Sequence, residues 1–155
     1  YSQDQIENIL SELGEETFAK NITKQIIERR KQKEINTTFE LNDIILKATP
    51  VWYHHRKIHP STKTFMALRI FVNQELENLK NALNISSQVI NVHGKIAVIS
   101  FHSLEDKIVK NFFKELVDKN HFKFVNKKVI IPKWTEIKQN KRSRSAKLRI
   151  IEKII

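Results

Sequence analysis

Three short stretches of this sequence carry side chains suited to chemistry. Ser100, His102 and Ser103, within Ser100–Lys110, put two hydroxyls and an imidazole where an apolar run gives way to an amphipathic one. Asn140–Arg149 holds five cations, Lys141, Arg142, Arg144, Lys147 and Arg149, with serines alternating among them in the loop. Lys57–Leu76 joins Lys57, His59 and Pro60 to a helical pattern in which Arg69 and Asn73 stand four apart. In open α/β sheets ligands bind outside the carboxyl ends of strands, so Ser100, His102 and Ser103 would line such an edge. The helix start beside them would offer free N–H groups to a phosphate. The plainer alternative makes Ser103 only a cap and His102 an exposed loop residue. Arginine forks and hydroxyls suit phosphate oxygens, so the 140–149 stretch is expected to contact phosphate rather than serve as solvated surface alone.

Two other chemistries are excluded by spacing. His102, Ser103 and Asp106 fall within one turn and cannot form a nucleophile relay, and no Gly-x-Ser-x-Gly elbow occurs. His54, His55 and His59 lack the i, i+4 spacing on a predicted helix that ligands need, and no His-Glu-x-x-His is present, so no metal site is expected. Residues 50–60 instead suit an RNA contact: Trp52 and Tyr53 offer stacking faces, and Arg56 and Lys57 offer charge.

The elements that must position these residues follow from periodicity. Ser2 caps a first helix carrying Ile6, Ile9, Leu10 and Leu13, which Gly14 ends. A second helix is predicted over 15–30, and a third, capped by Asn36, Thr37 or Thr38, is closed by Pro50. The longest helix is expected from Ser61 or Thr62 to Leu83, burying Phe65, Leu68, Val72, Leu76, Leu79 and Leu83. Lys95–Phe101 reads as a central strand buried on both faces. Ser103 would cap the helix that follows, with Glu105 and Asp106 in its first turn. Strands are expected over 122–131 and 146–155, joined by a basic loop at Lys138–Arg144. The first third is therefore helical. The remainder, a helix, a buried strand, a second helix and a strand pair, looks like the edge of a larger α/β sheet.

Bulk properties bound the partners. The 155 residues carry 28 Lys and Arg against 17 acids, a formal +11. That excess favours a polyanion, although AT-rich genomes also inflate lysine, asparagine and isoleucine. No apolar run approaches the ~20 residues of a membrane helix, so no membrane partner is expected. No cysteine is present to build a disulfide framework. Only two glycines occur, Gly14 and Gly94, and no Gly-x-Gly, so the glycine-rich turn of a nucleotide-binding domain is absent.

The motifs in order resemble one family. Lys-Ile-His-Pro at 57–60, the helix Ala67–Leu76, the Ser-Phe-His-Ser-Leu-Glu-Asp run at 100–106 and the stretch Arg142–Arg149 match segments of the bacterial methyltransferase H family, also called MraW. Gly14-Glu15-Glu16 followed by Phe18-Ala19 resembles another of its segments, so the resemblance covers essentially the whole chain. It implies N4-methylation of a cytidine in the decoding region of 16S rRNA, with S-adenosylmethionine as donor. It also implies a cytoplasmic enzyme of the small ribosomal subunit with no DNA partner. The fold implied is the C-terminal part of a class I, Rossmann-like methyltransferase sheet preceded by an inserted helical substrate-recognition domain, here 1–58, with the core at 59–155. Ser100, His102 and Ser103 would then lie near the target nucleotide. Arg142, Arg144, Lys147 and Arg149 would hold RNA phosphate, and Lys57, His59, Arg69 and Asn73 would contact RNA where insert meets core. The family's donor-binding segments have no counterpart here, which implies a fragment that associates with a missing N-terminal half. Within the matched part, His93 stands where the family has Gly, and Lys141 where it has Pro. A non-catalytic RNA-binding remnant and a structural adaptor are the rival readings.

Overall fold

Ser2 accepts from the Gln5 N–H while Gln5 reaches back to the Ser2 N–H, and this reciprocal pair opens the first helix, α1 (Gln3–Asn8). The computed structural model describes residues 1–155, an α/β chain whose residues group into two compact units, Tyr1–Glu75 and Leu76–Ile155.

The first unit is helical. After α1 a π turn (Ile9–Leu13) leads to Gly14, and then come α2 (Ala19–Gln32), α3 (Thr38–Ala48), α4 (Val51–His54) and α5 (Thr62–Val72). Ile6, Leu10, Ile22, Ile26, Ile44, Ile45 and Ala67 form its core. Each large aliphatic removed from water contributes about 1.5–3 kcal/mol. Gly14 is required by close approach: a Cβ there would sit 2.8 Å from the Lys63 carbonyl oxygen of α5. Thr37 and Glu40 cap α3 reciprocally, as the sequence predicts for this group of caps. The unit takes in α5 because Ala67 is part of its core. The expected boundary at 58 concerns where an insert joins a sheet, which is a different quantity from compactness.

The second unit is a small sheet under one helix. It runs α6 (Glu75–Val89), β1 (Lys95–Ser100), α7 (Ser103–Asp118), β2 (Phe122–Phe124), α8 (Trp134–Gln139), a 3-10 turn (Lys141–Ser145) and β3 (Lys147–Lys153). Strand order is β1-β3-β2, with both pairings antiparallel. Val109 and Phe113 of α7 pack on Ile96, Phe122 and Ile151 of the sheet and on Leu83. β1 runs in register with β3 from Lys95↔Glu152 to Ser100↔Lys147.

Several expectations need correction. α2 begins at Ala19 instead of Glu15, because Glu15 takes a left-handed φ of 47° and Glu16 turns inward to Tyr53. The long helix breaks: Gln74 adopts φ 52° between α5 and α6. α5 therefore buries Thr64, Ala67 and Ile70, and Val72 is left 73% exposed. β1 is buried on one face only, with Ile99 58% exposed, because it stands at an edge of the sheet and α7 covers only one side. The 122–131 strand shortens to Phe122–Phe124 plus a single bridge at Ile130. The 138–144 loop is the end of α8 and the 3-10 turn, since Asn140 accepts from the Arg142 N–H and restarts a helical turn.

The turn into β1 holds a strained residue. His93 has φ 67°, its N–H donating to the Lys153 carbonyl at 2.9 Å. A non-glycine residue there costs about 1–2 kcal/mol, partly offset by the freedom glycine adds to the unfolded chain. The His93 side chain is 81% exposed, so little packing is lost on removing it. His93→Gly is expected to raise the unfolding free energy by about 0.5–1 kcal/mol in urea melts. An unchanged or lower midpoint would show that the left-handed turn is not strained.

Candidate functional site

The sheet register brings two of the three motifs together. Ser100, the last residue of β1, pairs with Lys147, the first of β3, so the β1–α7 turn and the start of the basic strand share one end of the sheet. Ser100 is buried at 3% exposure, and its hydroxyl donates a hydrogen bond to the Lys147 carbonyl oxygen at 3.5 Å.

His102 caps α7, the role expected of Ser103. Its Nδ1 accepts from the Glu105 N–H at 3.4 Å, while Glu105 accepts from the N–H groups of Phe101, at 2.9 Å, and His102, at 3.4 Å. Ser103 is thereby the first helical residue and lies exposed. The imidazole keeps its Nε2 at 3.3 Å from Glu105 Oε1. The turn is thus fixed from both ends, with the histidine's Nδ1 lone pair already occupied. The signal for Glu105 was readable, as glutamate at the third helical position marks a reciprocal cap.

One turn further, Asp106 is 8% exposed and binds two cations of β3. The Arg149 guanidinium donates Nε to Oδ1 at 2.8 Å and Nη2 to Oδ2 at 3.2 Å, and Lys147 Nζ donates to Oδ2 at 3.1 Å. Hydrogen bonding to Arg149 lowers the Asp106 pKa most, burial opposes this, and Lys147 adds to the lowering. Lys147 and Arg149 share a face because they are two apart on a strand. Asp106 is a site residue that the sequence pattern does not reveal, since an acid in the first turn of a helix already suits the helix dipole. Arg142 and Arg144, in the 3-10 turn that enters β3 from the same end, are exposed, and the turn is anchored by Ser143, whose hydroxyl donates to the Asn140 carbonyl. The expected phosphate ligands therefore divide into two exposed arginines and two cations already paired to Asp106.

The first unit holds the remaining candidates. Tyr53, Arg56, Lys57, Ile58, His59 and Lys63 line a cavity of about 300 Å³. Arg56 lies over the rings of Trp52 and Tyr53, at 5.8 and 5.1 Å. Tyr53 donates to buried Glu16 at 3.0 Å, and burial followed by that carboxylate pushes the phenol up to about 12. His59 Nδ1 accepts from the Ser61 N–H, while His54 Nε2 is bonded to Thr49. Arg69 forks onto Glu75 at 2.8 and 3.1 Å, and Asn73 donates to the same carboxylate at 3.4 Å. Lys57 and His59 are thus brought together, and Arg69 and Asn73 are joined through Glu75.

The sequence model of the MraW methylase family matches residues 1–154. The chain is 47% identical to the ribosomal RNA small subunit methyltransferase H of Sulfurihydrogenibium azorense, over 99% of this chain and 53% of that protein. The protein of the same name from Leptospira interrogans is 46% identical over 99% of the chain and 46% of its own length. That from Petrotoga mobilis is 49% identical over 98% and 52%. The chain thus spans about half the length of the curated relatives it matches.

Two outcomes are expected. Asp106→Asn leaves two cations facing a neutral amide and should cost roughly 3 kcal/mol at neutral pH. Because the folded Asp106 pKa is depressed, the native carboxylate's contribution is present above its unfolded value of about 3.9 and is lost as pH falls through the folded value. Urea melts should therefore show the two proteins converging below about pH 4, whereas parallel curves would contradict this. His102→Ala should cost about 1 kcal/mol in thermal melts and His102→Asn much less, since asparagine caps well. Equal losses would show that the cap is not what His102 supplies to the fold.

Proposed function

Because the chain belongs to the MraW methylase family, we propose that it is the substrate-facing part of an S-adenosylmethionine-dependent enzyme that methylates N4 of a cytidine in 16S rRNA. The observation that carries this is the match of one family model to residues 1–154. The enzyme would act in the cytoplasm on small ribosomal subunits. No helix of the chain is long and apolar enough to cross a membrane.

The residues present do not fit the methyl donor. Both glycines are committed to packed turns: a Cβ at Gly14 would meet the Lys63 carbonyl oxygen at 2.8 Å, and one at Gly94 would meet Ile90 Cγ1 at 2.5 Å. Neither leaves open backbone N–H groups in a glycine-rich turn of the kind that cradles a nucleotide cofactor. We assign donor binding to the part of the relatives' length that this chain does not span. The open side of β1 supports such a complement: the strand pairs on one side only, and Ile99 within it and Phe101 just after it are each more than half exposed. On this reading residues 1–58 are an inserted recognition domain and 59–155 the end of a Rossmann-like core.

Within the proposal, Ser100, His102 and Ser103 border the target nucleotide, the first two as rigid parts of the turn and Ser103 as an exposed hydroxyl. Arg142 and Arg144 hold phosphate directly. Lys147 and Arg149 add charge while remaining bound to Asp106. Lys57, His59, Arg69 and Asn73 contact RNA through the helical unit. What these residues contribute is positioning of the cytidine amino group, a source of large rate effects without covalent chemistry.

The test is radiolabelled methyl transfer from S-adenosylmethionine to small ribosomal subunits lacking this modification. The chain is assayed alone and mixed with the N-terminal half of a relative. Transfer only in the mixture is expected. Transfer by the chain alone would contradict the donor assignment. No transfer in either, with RNA binding retained, would instead favour a non-catalytic RNA-binding remnant, which the lack of a donor cradle in these residues also fits.

A further inference from the structure

The helix face that begins at Asp106 continues as a second basic surface. Lys110, Lys114 and Asp118 follow at intervals of four on α7, a span of about 12 Å from Lys110 to Asp118. They line one wall of a cavity of about 250 Å³, whose other wall is Phe124 of β2 and the 126–129 segment, with Arg149 at the end that joins the Asp106 cluster. Lys110, Lys114, Lys127 and Lys128 are all exposed. The acids near them in the fold are held by other cations: Asp106 by Lys147 and Arg149, Glu115 by Lys119, and Glu152 by Lys123. Only Asp118 offsets the lysines within the cavity.

One uncharged feature narrows the ligand. Phe124 is 42% exposed and presents a ring beside the cations. Asn126 donates its amide to the Lys128 carbonyl and so ties together the 126–129 wall of the cavity. The cavity thus combines phosphate-binding charge with a stacking surface. A nucleotide supplies both complements, a phosphate and a flat base. The half-exposed Phe124 ring can stack on an unpaired base, which a single strand offers and a duplex does not.

We propose that this groove holds single-stranded RNA flanking the target nucleotide, leading it away from the β1–α7 turn along α7. The choice of RNA over an acidic peptide rests on the proposed function, whereas the existence of an anion groove does not.

The test measures fluorescence anisotropy of a short labelled oligouridylate with the whole 155-residue chain across a salt series. Wild type is compared with a variant carrying Lys110→Ala, Lys114→Ala, Lys127→Ala and Lys128→Ala, and with Phe124→Ala, all checked by circular dichroism. The fourfold variant is expected to bind more weakly, with the log–log salt slope reduced by about 2 to 3. Phe124→Ala should weaken binding roughly tenfold with the slope unchanged. Equal affinity and slope in wild type and the fourfold variant would overturn the groove while leaving RNA binding, and so the proposed function, in place. Tighter, lysine-dependent binding of labelled polyglutamate would reassign the groove to an acidic peptide and overturn the proposal. No RNA binding by wild type at low salt would overturn both.

Discussion

One carboxylate ties α7 to β3 at the end of the sheet that carries the candidate site. Asp106, on the first turn of α7, receives three hydrogen bonds from Lys147 and Arg149 of β3. Those two cations flank Leu148, whose own backbone bonds to Ile130, so the same strand is tied both to the helix and to the loop beyond β2. A buried carboxylate is costly unless its lone pairs are met, and the Arg149 fork with Lys147 meets them. Without that cluster the helix would still pack through Val109 and Phe113, since that contact is apolar and independent of charge. What the cluster adds is angular definition at the end of the sheet where Ser100, His102 and Ser103 sit.

The same interaction sets how much charge the surface can offer. A lysine and an arginine that satisfy Asp106 are poor free phosphate ligands, so the exposed positive field comes from Arg142, Arg144 and the lysines along α7 and the 126–129 segment. The cations of the 140–149 stretch thus divide into two paired with Asp106 and others left exposed, which the proposed function assigns to phosphate. A reading by composition counts all five as surface. The division also explains why the stretch begins as a 3-10 turn: Ser143 is buried under it, which turns its neighbours Arg142 and Arg144 outward.

Much of this was legible in the sequence. Ser2, the Thr37 and Glu40 pair, the β-branched run of β1 and the amphipathic α7 all follow rules of local chemistry that tertiary contacts reinforce. The misplaced features have specific causes. The break between α5 and α6 rests on one residue, Gln74, whose left-handed backbone no propensity foretells. His102 displaced Ser103 as the cap because an imidazole nitrogen can accept as a hydroxyl does, though histidine is not counted among the usual caps. β1 looked central because its outer residues are apolar, and within this chain those residues face solvent. The Asp106 cluster joins positions more than 40 apart, and only the Ser100↔Lys147 register brings them within reach.

The central claim is that Asp106 and Arg149 are energetically coupled and do not merely stand close. A double-mutant cycle on the 155-residue chain tests it directly, with urea unfolding of wild type, Asp106→Asn, Arg149→Gln and the pair. A coupling energy of about 1.5 kcal/mol or more is predicted, since the two share buried hydrogen bonds. Single losses that add to within about 0.5 kcal/mol would contradict it and leave apolar packing alone to hold α7 on the sheet.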